Sequence, residues 1–306
     1  MEGLSENEDR LAWIFGSSRS GSTWLLRMLS DLHGVVPIDD PHLGHHLGVW
    51  RPIPLAWAAC DDPPPLSTLL EVKEEEPGYF FADRHRDAWW RPLRDLICAR
   101  FEAQAGERPG DLGETELFVV KEPGSQVAPL LAEMFPASKM IFLLRDGRDV
   151  VDSWLDAYRE GSWAIPGGAF PVAPEGRLAL IRWLSAVWVY RSRAVRNAFE
   201  SRSPEDRILI RYEDLREEAT VYLDQLCAML GLDRSEVREV AGRHRFESVP
   251  AADRGPGQAI RSAAPGSWRE NLTAAEKAAM DEVLGAALAE FGYGEKSAAR
   301  QAAGVL

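Results

Sequence analysis

The stretch that decides the fold is Trp13-Ile14-Phe15-Gly16-Ser17-Ser18-Arg19-Ser20-Gly21-Ser22-Thr23-Trp24-Leu25-Leu26. An apolar run from Leu11 to Phe15 reads as a buried strand and breaks at Gly16 into a small polar loop. Trp24, Leu25, Met28, Leu29 and Leu32 then recur at helical spacing. A strand, loop and helix in this order expose backbone N–H groups at a helix N-terminus, where about half a positive charge makes a cradle for an anion. Gly16 and Gly21 stand where a phosphate-binding loop has its two glycines, and Ser22-Thr23 occupy the places of its Lys-[Ser/Thr] pair. The lysine is missing. Arg19 supplies a cation inside the loop instead, with a fork that grips two oxygens, and Ser20, Ser22 and Thr23 add hydroxyl donors. Gly and Ser also make ordinary tight turns and helix caps, so the loop by itself leaves a structural role open.

The missing lysine directs the next step. A kinase or ATPase of the usual phosphate-loop kind needs that lysine on the β/γ-phosphates and an aspartate that helps hold Mg²⁺. Here the strand-like run Lys139 to Leu144 leads into Arg145-Asp146-Gly147-Arg148-Asp149, with arginine first. An arginine at that strand end repels a metal and welcomes a second anion. Two anionic groups met by arginines, with no metal, is the chemistry these residues suggest.

Length and composition set the frame. With 306 residues, 45% of them hydrophobic, the chain can bury a large core, and no Pro/Gly/Ser-rich linker divides it. The expected organisation is a flexible acidic start (1–10), one domain (11–294) and a flexible tail (295–306). Three scattered cysteines, Cys60, Cys98 and Cys227, fit a reducing compartment. No apolar run approaches the roughly 18 residues of a membrane span, so a soluble, cytoplasmic protein without a membrane partner is expected. The net charge of −13 argues against a nucleic-acid partner and, more weakly, against a polyanionic acceptor.

Four motifs together resemble the sulfotransferases that use 3′-phosphoadenosine 5′-phosphosulfate (PAPS). Arg19-Ser20-Gly21-Ser22-Thr23-Trp24 is similar to the family's 5′-phosphosulfate loop, whose closing Trp often stacks on adenine. Arg145, followed eight residues later by Ser153, resembles the family's 3′-phosphate pair. Tyr212-Glu213-Asp214 resembles its Tyr-Glu-Asp segment, and Arg261, Gly266 and Trp268 keep the spacing of its C-terminal Arg-Lys-Gly-x-x-Gly-Asp-Trp segment. There the family's Lys, first Gly and Asp are replaced by Ser262, Ala263 and Ser267, so one cation and one permissive glycine are lost. The resemblance implies an α/β three-layer sandwich with a central parallel sheet, of the phosphate-loop NTPase-like sulfotransferase kind. It also implies PAPS as sulfuryl donor, the desulfated nucleotide PAP as product, and no metal or redox cofactor.

The short strand Val35 to Ile38 delivers Asp39-Asp40-Pro41-His42-Leu43-Gly44-His45-His46 to the side of the sheet where ligands gather. Many bacterial and Golgi-type members of the family carry their catalytic base in this region, which puts Asp40 first, with His42 next. A polar loop with capping Asp and surface His, or a metal site of unrecognised spacing, would use the same residues. By position, the strand Leu117 to Val120 resembles the family's strand whose terminal lysine contacts the bridging and sulfuryl oxygens, and that lysine is Lys121. Glu122 stands beside the place of the base in cytosolic animal members and is the other choice for the base; a carboxylate at a helix N-terminus is its structural alternative. The resemblance assigns Arg145, Ser153 and Arg261 to the 3′-phosphate, and Trp24 and Tyr212 to adenine.

Elsewhere, Trp89 to Glu102 reads as an amphipathic helix, while Asp61-Asp62-Pro63-Pro64-Pro65 and Glu74-Glu75-Glu76-Pro77 read as loop and solvated charge. Trp50, Trp57, Trp89 and Trp90 line an acceptor pocket or belong to the core. Gly161 to Pro174 resembles a lid, Leu180 to Arg191 is a helix with a core stripe, Arg207 to Ile210 is a strand, and Thr273 caps a helix from Ala274 to Phe291. Transfer of SO₃ from PAPS to an acceptor hydroxyl is the expected activity, the acceptor being a small molecule, carbohydrate or natural product. A phosphate-loop kinase and a non-catalytic nucleotide-binding module are the alternatives. Oligomeric state has no signature in the chain.

Overall fold

The structure is a computed structural model and describes residues 3–47, 80–106, 116–159, 161–164 and 176–294. The readings made for Trp50, Trp57, Cys60, 61–65, 74–77, most of the 161–174 segment and the tail from 295 lie outside the described residues. Contacts divide the chain into two compact units. The first comprises 1–51, 70–144 and 191–245, and the second comprises 52–69, 145–190 and 246–306.

The first unit holds a parallel sheet of five strands among the described residues, in the order β2-β3-β1-β4-β5. These are β1 (Leu11–Phe15), β2 (Val35–Asp39), β3 (Leu117–Lys121), β4 (Lys139–Leu144) and β5 (Arg207–Arg211). β1 and β4 span the residues expected from their apolar runs. Every residue of β1 and β3 is buried, as central strands covered on both faces must be. From β1 the chain turns to β2 on one side, and from β4 it turns to β5 on the other. The loops after β1 and β4 therefore leave the sheet where its winding reverses, the usual place for a ligand.

Alternation sends Ala12 and Ile14 to one face and Trp13 and Phe15 to the other. The first face packs with Val119, Ile141, Leu143 and Ile210 against α1 (Ser22–Ser30). It also packs against α8 (Ala219–Leu230) and α9 (Val237–Arg243) in one continuous aliphatic core. The second face is aromatic. Trp13 meets Phe101 of α3 (Arg86–Gly106) at 6.1 Å and Phe135, just after α4 (Ala128–Met134), at 5.7 Å. Phe142 meets Phe199 of α6 (Arg177–Glu200) at 6.1 Å. The Trp13 indole N–H donates to Ser138 Oγ at 3.1 Å, so its buried polar atom is satisfied. At the edges, β2 carries Pro37, and β5 carries Arg207 and Arg211 on either side of Leu209. The short helices α2 (Leu43–His46) and α7 (Tyr212–Glu217) follow β2 and β5 directly.

In the second unit, α5 (Gly147–Ala157) is capped by Asp146, which accepts from the Arg148 amide at 2.9 Å. Trp188 lies where a side chain on Gly147 would stand, its ring 2.8 Å from that position. Phe291 closes on Trp188 edge-to-face at 5.6 Å. After α10 (Trp268–Asn271), Thr273 and Glu276 form the capping box expected for α11 (Ala274–Glu290). Ala263, at the position of the lost glycine, adopts φ 51°, a left-handed conformation that costs an L-residue about 1–2 kcal/mol. Among the described residues no helix is long and apolar enough to cross a membrane. Ala263→Gly is expected to raise the unfolding free energy by about 1 kcal/mol in urea titration, less than the full strain because glycine also gains freedom in the unfolded chain.

Candidate active site

In the first unit, the loop from Gly16 to Gly21 can only be built with these glycines. A Cβ on Gly16 would lie 2.3 Å from the Leu143 carbonyl oxygen, so the loop leaves β1 hard against β4. Gly21 takes φ 94°, and a Cβ there would sit 2.6 Å from the Tyr212 ring. Arg19 also takes a left-handed φ of 72°. The Gly16 amide donates to Ser125 Oγ at 3.2 Å, and the Ser125 hydroxyl donates back to the Gly16 carbonyl, which ties the loop to the turn after β3. No side chain caps α1 at Gly21, leaving its first-turn amides without a capping acceptor. Ser17 and Ser20, 3% and 1% exposed, bury hydroxyls that have no hydrogen-bond partner among the described residues.

Lys121 enters this loop from the end of β3. Its register opposite Ile14 of β1 and Asp39 of β2 fixes the place. The ammonium donates to Thr23 Oγ1 at 2.7 Å and to Asp40 Oδ2 at 3.0 Å, and it pairs with Asp39 Oδ1 at 2.6 Å. The lysine absent from the loop is thus replaced, at the N-terminus of α1, by one from another strand. Asp40 has φ 48° and buries Oδ1 with no hydrogen-bond partner among the described residues. His42 has φ 54° and is exposed.

Glu122 does something different. Its Oε2 accepts from the Leu43 amide at 2.8 Å and its Oε1 from the Gly124 amide at 2.7 Å. The carboxyl, 1% exposed, joins the turn after β2 to the turn after β3. Burial pushes its pKa up to about 7, against the pull of the Leu43, Gly124 and Gly44 amides, with Asp40's charge adding to the rise.

Arg191, counted in the sequence as one more position of a core stripe, is 4% exposed; its Nε donates to Gln126 Oε1 at 3.2 Å and its Nη1 to Ser18 Oγ at 3.1 Å. It joins α6 to the loops after β1 and β3. Asp39 was likewise passed over for its neighbour. Trp24 donates its indole N–H to the His244 carbonyl at 2.8 Å and meets Tyr212 edge-to-face at 6.2 Å.

In the second unit, Arg145 follows β4, and Ser153 lies on α5; both are buried. The carboxylates of α5 face the C-terminal segment. Asp149 accepts from the Gly266 amide at 2.7 Å, Asp152 pairs with Arg261, and Asp156 accepts from the Gly257 amide at 3.0 Å. Burial pushes Asp149 above the usual carboxylate range, and the Arg145 charge and the Gly266 amide hold it back. Arg148 chelates Asp146 and lies over the Trp268 ring at 4.6 Å, with Arg269 near the same ring at 4.7 Å. No cluster of His, Cys, Asp and Glu among the described residues could hold a metal ion.

Residues 12–236 match the profile of the sulfotransferase family. No curated protein matches the chain. Among solved structures, the mouse sulfotransferase SULT7A1 complexed with PAP is 14% identical, covers 94% of this chain and 89% of its own, and superposes with a TM-score of 0.54. Retinol dehydratase in complex with retinol and PAP is 14% identical, covers 92% of this chain and 81% of its own, with a TM-score of 0.51. Their likeness establishes the fold.

The Glu122 shift has a defined sign. Its pKa is higher in the folded chain than the ordinary 4.5, so its contribution to stability is fully present below about 4.5 and is lost as pH rises through about 7. In urea titrations from pH 4.5 to 7.5, the chain is expected to lose up to about 3 kcal/mol relative to Glu122→Gln, whose side chain does not titrate.

Proposed function

The chain belongs to the sulfotransferase family, and on that premise we propose that it transfers the sulfuryl group of PAPS to an acceptor hydroxyl by in-line displacement. The acceptor is a small molecule, carbohydrate or natural product. The observation that carries the proposal is Lys121, a buried ammonium on Thr23 at the uncapped N-terminus of α1. Such a group, together with loop amides, Arg19 and the buried Ser17 and Ser20 hydroxyls, suits an oxyanion ester. PAP in both solved sulfotransferase-fold neighbours supports the choice of nucleotide.

The donor supplies an electrophilic sulfur whose leaving group is a phosphate oxygen. Arg19, Ser20, Ser22, Thr23 and the amides from Gly21 onward hold the 5′-phosphosulfate. Lys121 neutralises the charge that grows on the 5′-phosphate oxygen as the S–O bond breaks. Asp40 takes the acceptor's proton as the acceptor oxygen bonds to sulfur; one of its oxygens is held by Lys121, and the other is buried without a partner among the described residues. His42 is exposed and stands second for this role. Glu122 has both oxygens on backbone amides and acts as a clamp between turns rather than as the base. In the second unit, Arg145, Ser153 and Arg261 bind the 3′-phosphate. Trp24 and Tyr212 flank the adenine.

Calorimetry with PAP tests the donor assignment. Arg19→Ala and Arg145→Ala are each expected to weaken binding by about tenfold or more, the worth of a charge-assisted contact, and unchanged affinity in both overturns it. Across a panel of hydroxyl acceptors with radiolabelled PAPS, Asp40→Asn is expected to lower turnover about 10²-fold with PAP affinity kept. Full turnover in that variant removes Asp40 from the reaction.

A further inference from the structure

Arg261 and Asp152 meet end-on. Arg261 Nη1 donates to Asp152 Oδ1 at 3.1 Å, and its Nη2 donates to Oδ2. The Asp152 side chain is 4% exposed and the Arg261 side chain 17%. Asn271 Nδ2 also donates to Asp152 Oδ2, at 2.9 Å, so the carboxylate is fixed from a second side. Farther along the same segment, Asp149 holds the Gly266 amide, as described above.

An end-on pair occupies one N–H from each terminal nitrogen of a guanidinium that carries five. Three remain, among them the Nε–H and the outer N–H beside it, the parallel pair that matches two oxygens of a phosphate. Arg261 makes no other hydrogen bond among the described residues. A carboxylate therefore fixes the fork and leaves its anion-gripping edge open.

We propose that Asp152 is a positioning residue that aims the free edge of Arg261 at the 3′-phosphate of the donor; this rests on the role given to Arg261 above. An unheld arginine carries about 2 kcal/mol of rotamer entropy, part of which must be given up when an anion is gripped. Holding the fork beforehand removes that part of the cost. Asp152 also brings a negative charge, and an electrostatic effect alone would make its removal tighten the binding of a phosphate. Orientation and net charge thus give opposite signs.

Calorimetry of the full chain with PAP and with adenosine 5′-phosphate, which lacks the 3′-phosphate, separates them. The readout is the ratio of the two affinities. Arg261→Ala is expected to lower that ratio, and Asp152→Asn to lower it about five- to tenfold with adenosine 5′-phosphate bound as before. In the Arg261→Ala background, where there is no fork left to aim, Asp152→Asn is expected to cause no further fall, and the lost negative charge can only raise the ratio. A ratio that stays level or rises in Asp152→Asn, while Arg261→Ala lowers it, overturns the inference and leaves the role of Arg261 standing. A ratio unaffected by Arg261→Ala overturns that role and the inference with it. If Asp152→Asn fails to fold, Arg261→Gln is compared with Arg261→Gln/Asp152→Asn, where no charge is left buried alone. A ratio in the double variant that is equal or higher supports the inference, and a further fall overturns it.

Discussion

Lys121 ends an internal strand with its side chain 5% exposed, and a cation in that position is stable only among acceptors. The sheet provides them. Parallel register sets Asp39 beside Lys121 across β2, and the chain brings Asp40 next and Thr23 from the first turn of α1. Two segments, the first turn of α1 and the end of β2, are thereby held to one charge about eighty to a hundred residues farther along the chain. What is assigned to the loop after β1 leans on that convergence, because the loop has no lysine of its own and Lys121 adds a second cation to Arg19 at the N-terminus of α1.

The second unit repeats the logic with helix geometry in place of register. Asp149, Asp152 and Asp156 fall three and four residues apart on α5, so they stand on one face, and each takes a donor from the segment between Gly257 and Gly266. Carboxylates here act as anchors for backbone and arginine. Glu122 does the same in the first unit, with three amides around one buried carboxyl.

Much of this was legible in the sequence, for identifiable reasons. β1 and β4 are short apolar runs ended by a loop glycine and by an arginine, and such edges are sharp. Thr273 and Glu276 announce their helix by a spacing that has one reading. The left-handed Ala263 was foreshadowed by a glycine that the family pattern expects and this chain lacks. Arg191 was hidden because helical periodicity says which residues share a face, and the partner of that face is a matter of tertiary packing. The pairing of Asp39 with Lys121 was hidden for the same reason: Asp40 was put first from its place after the strand, and that both carboxylates meet one ammonium is set by the register of β2 and β3. Glu122 accepts from amides of two different turns, a feature no local pattern carries.

The edges of the sheet have a consequence of their own. β2 contains Pro37, which has no amide hydrogen to offer a neighbouring strand, and β5 sets long cationic side chains, Arg207 and Arg211, around the half-exposed Leu209. A stray polypeptide laid along either side meets an interrupted ladder or two like charges. Among the described residues the five-stranded array is thus bounded by strands whose composition disfavours further pairing, a built-in brake on growth of the sheet.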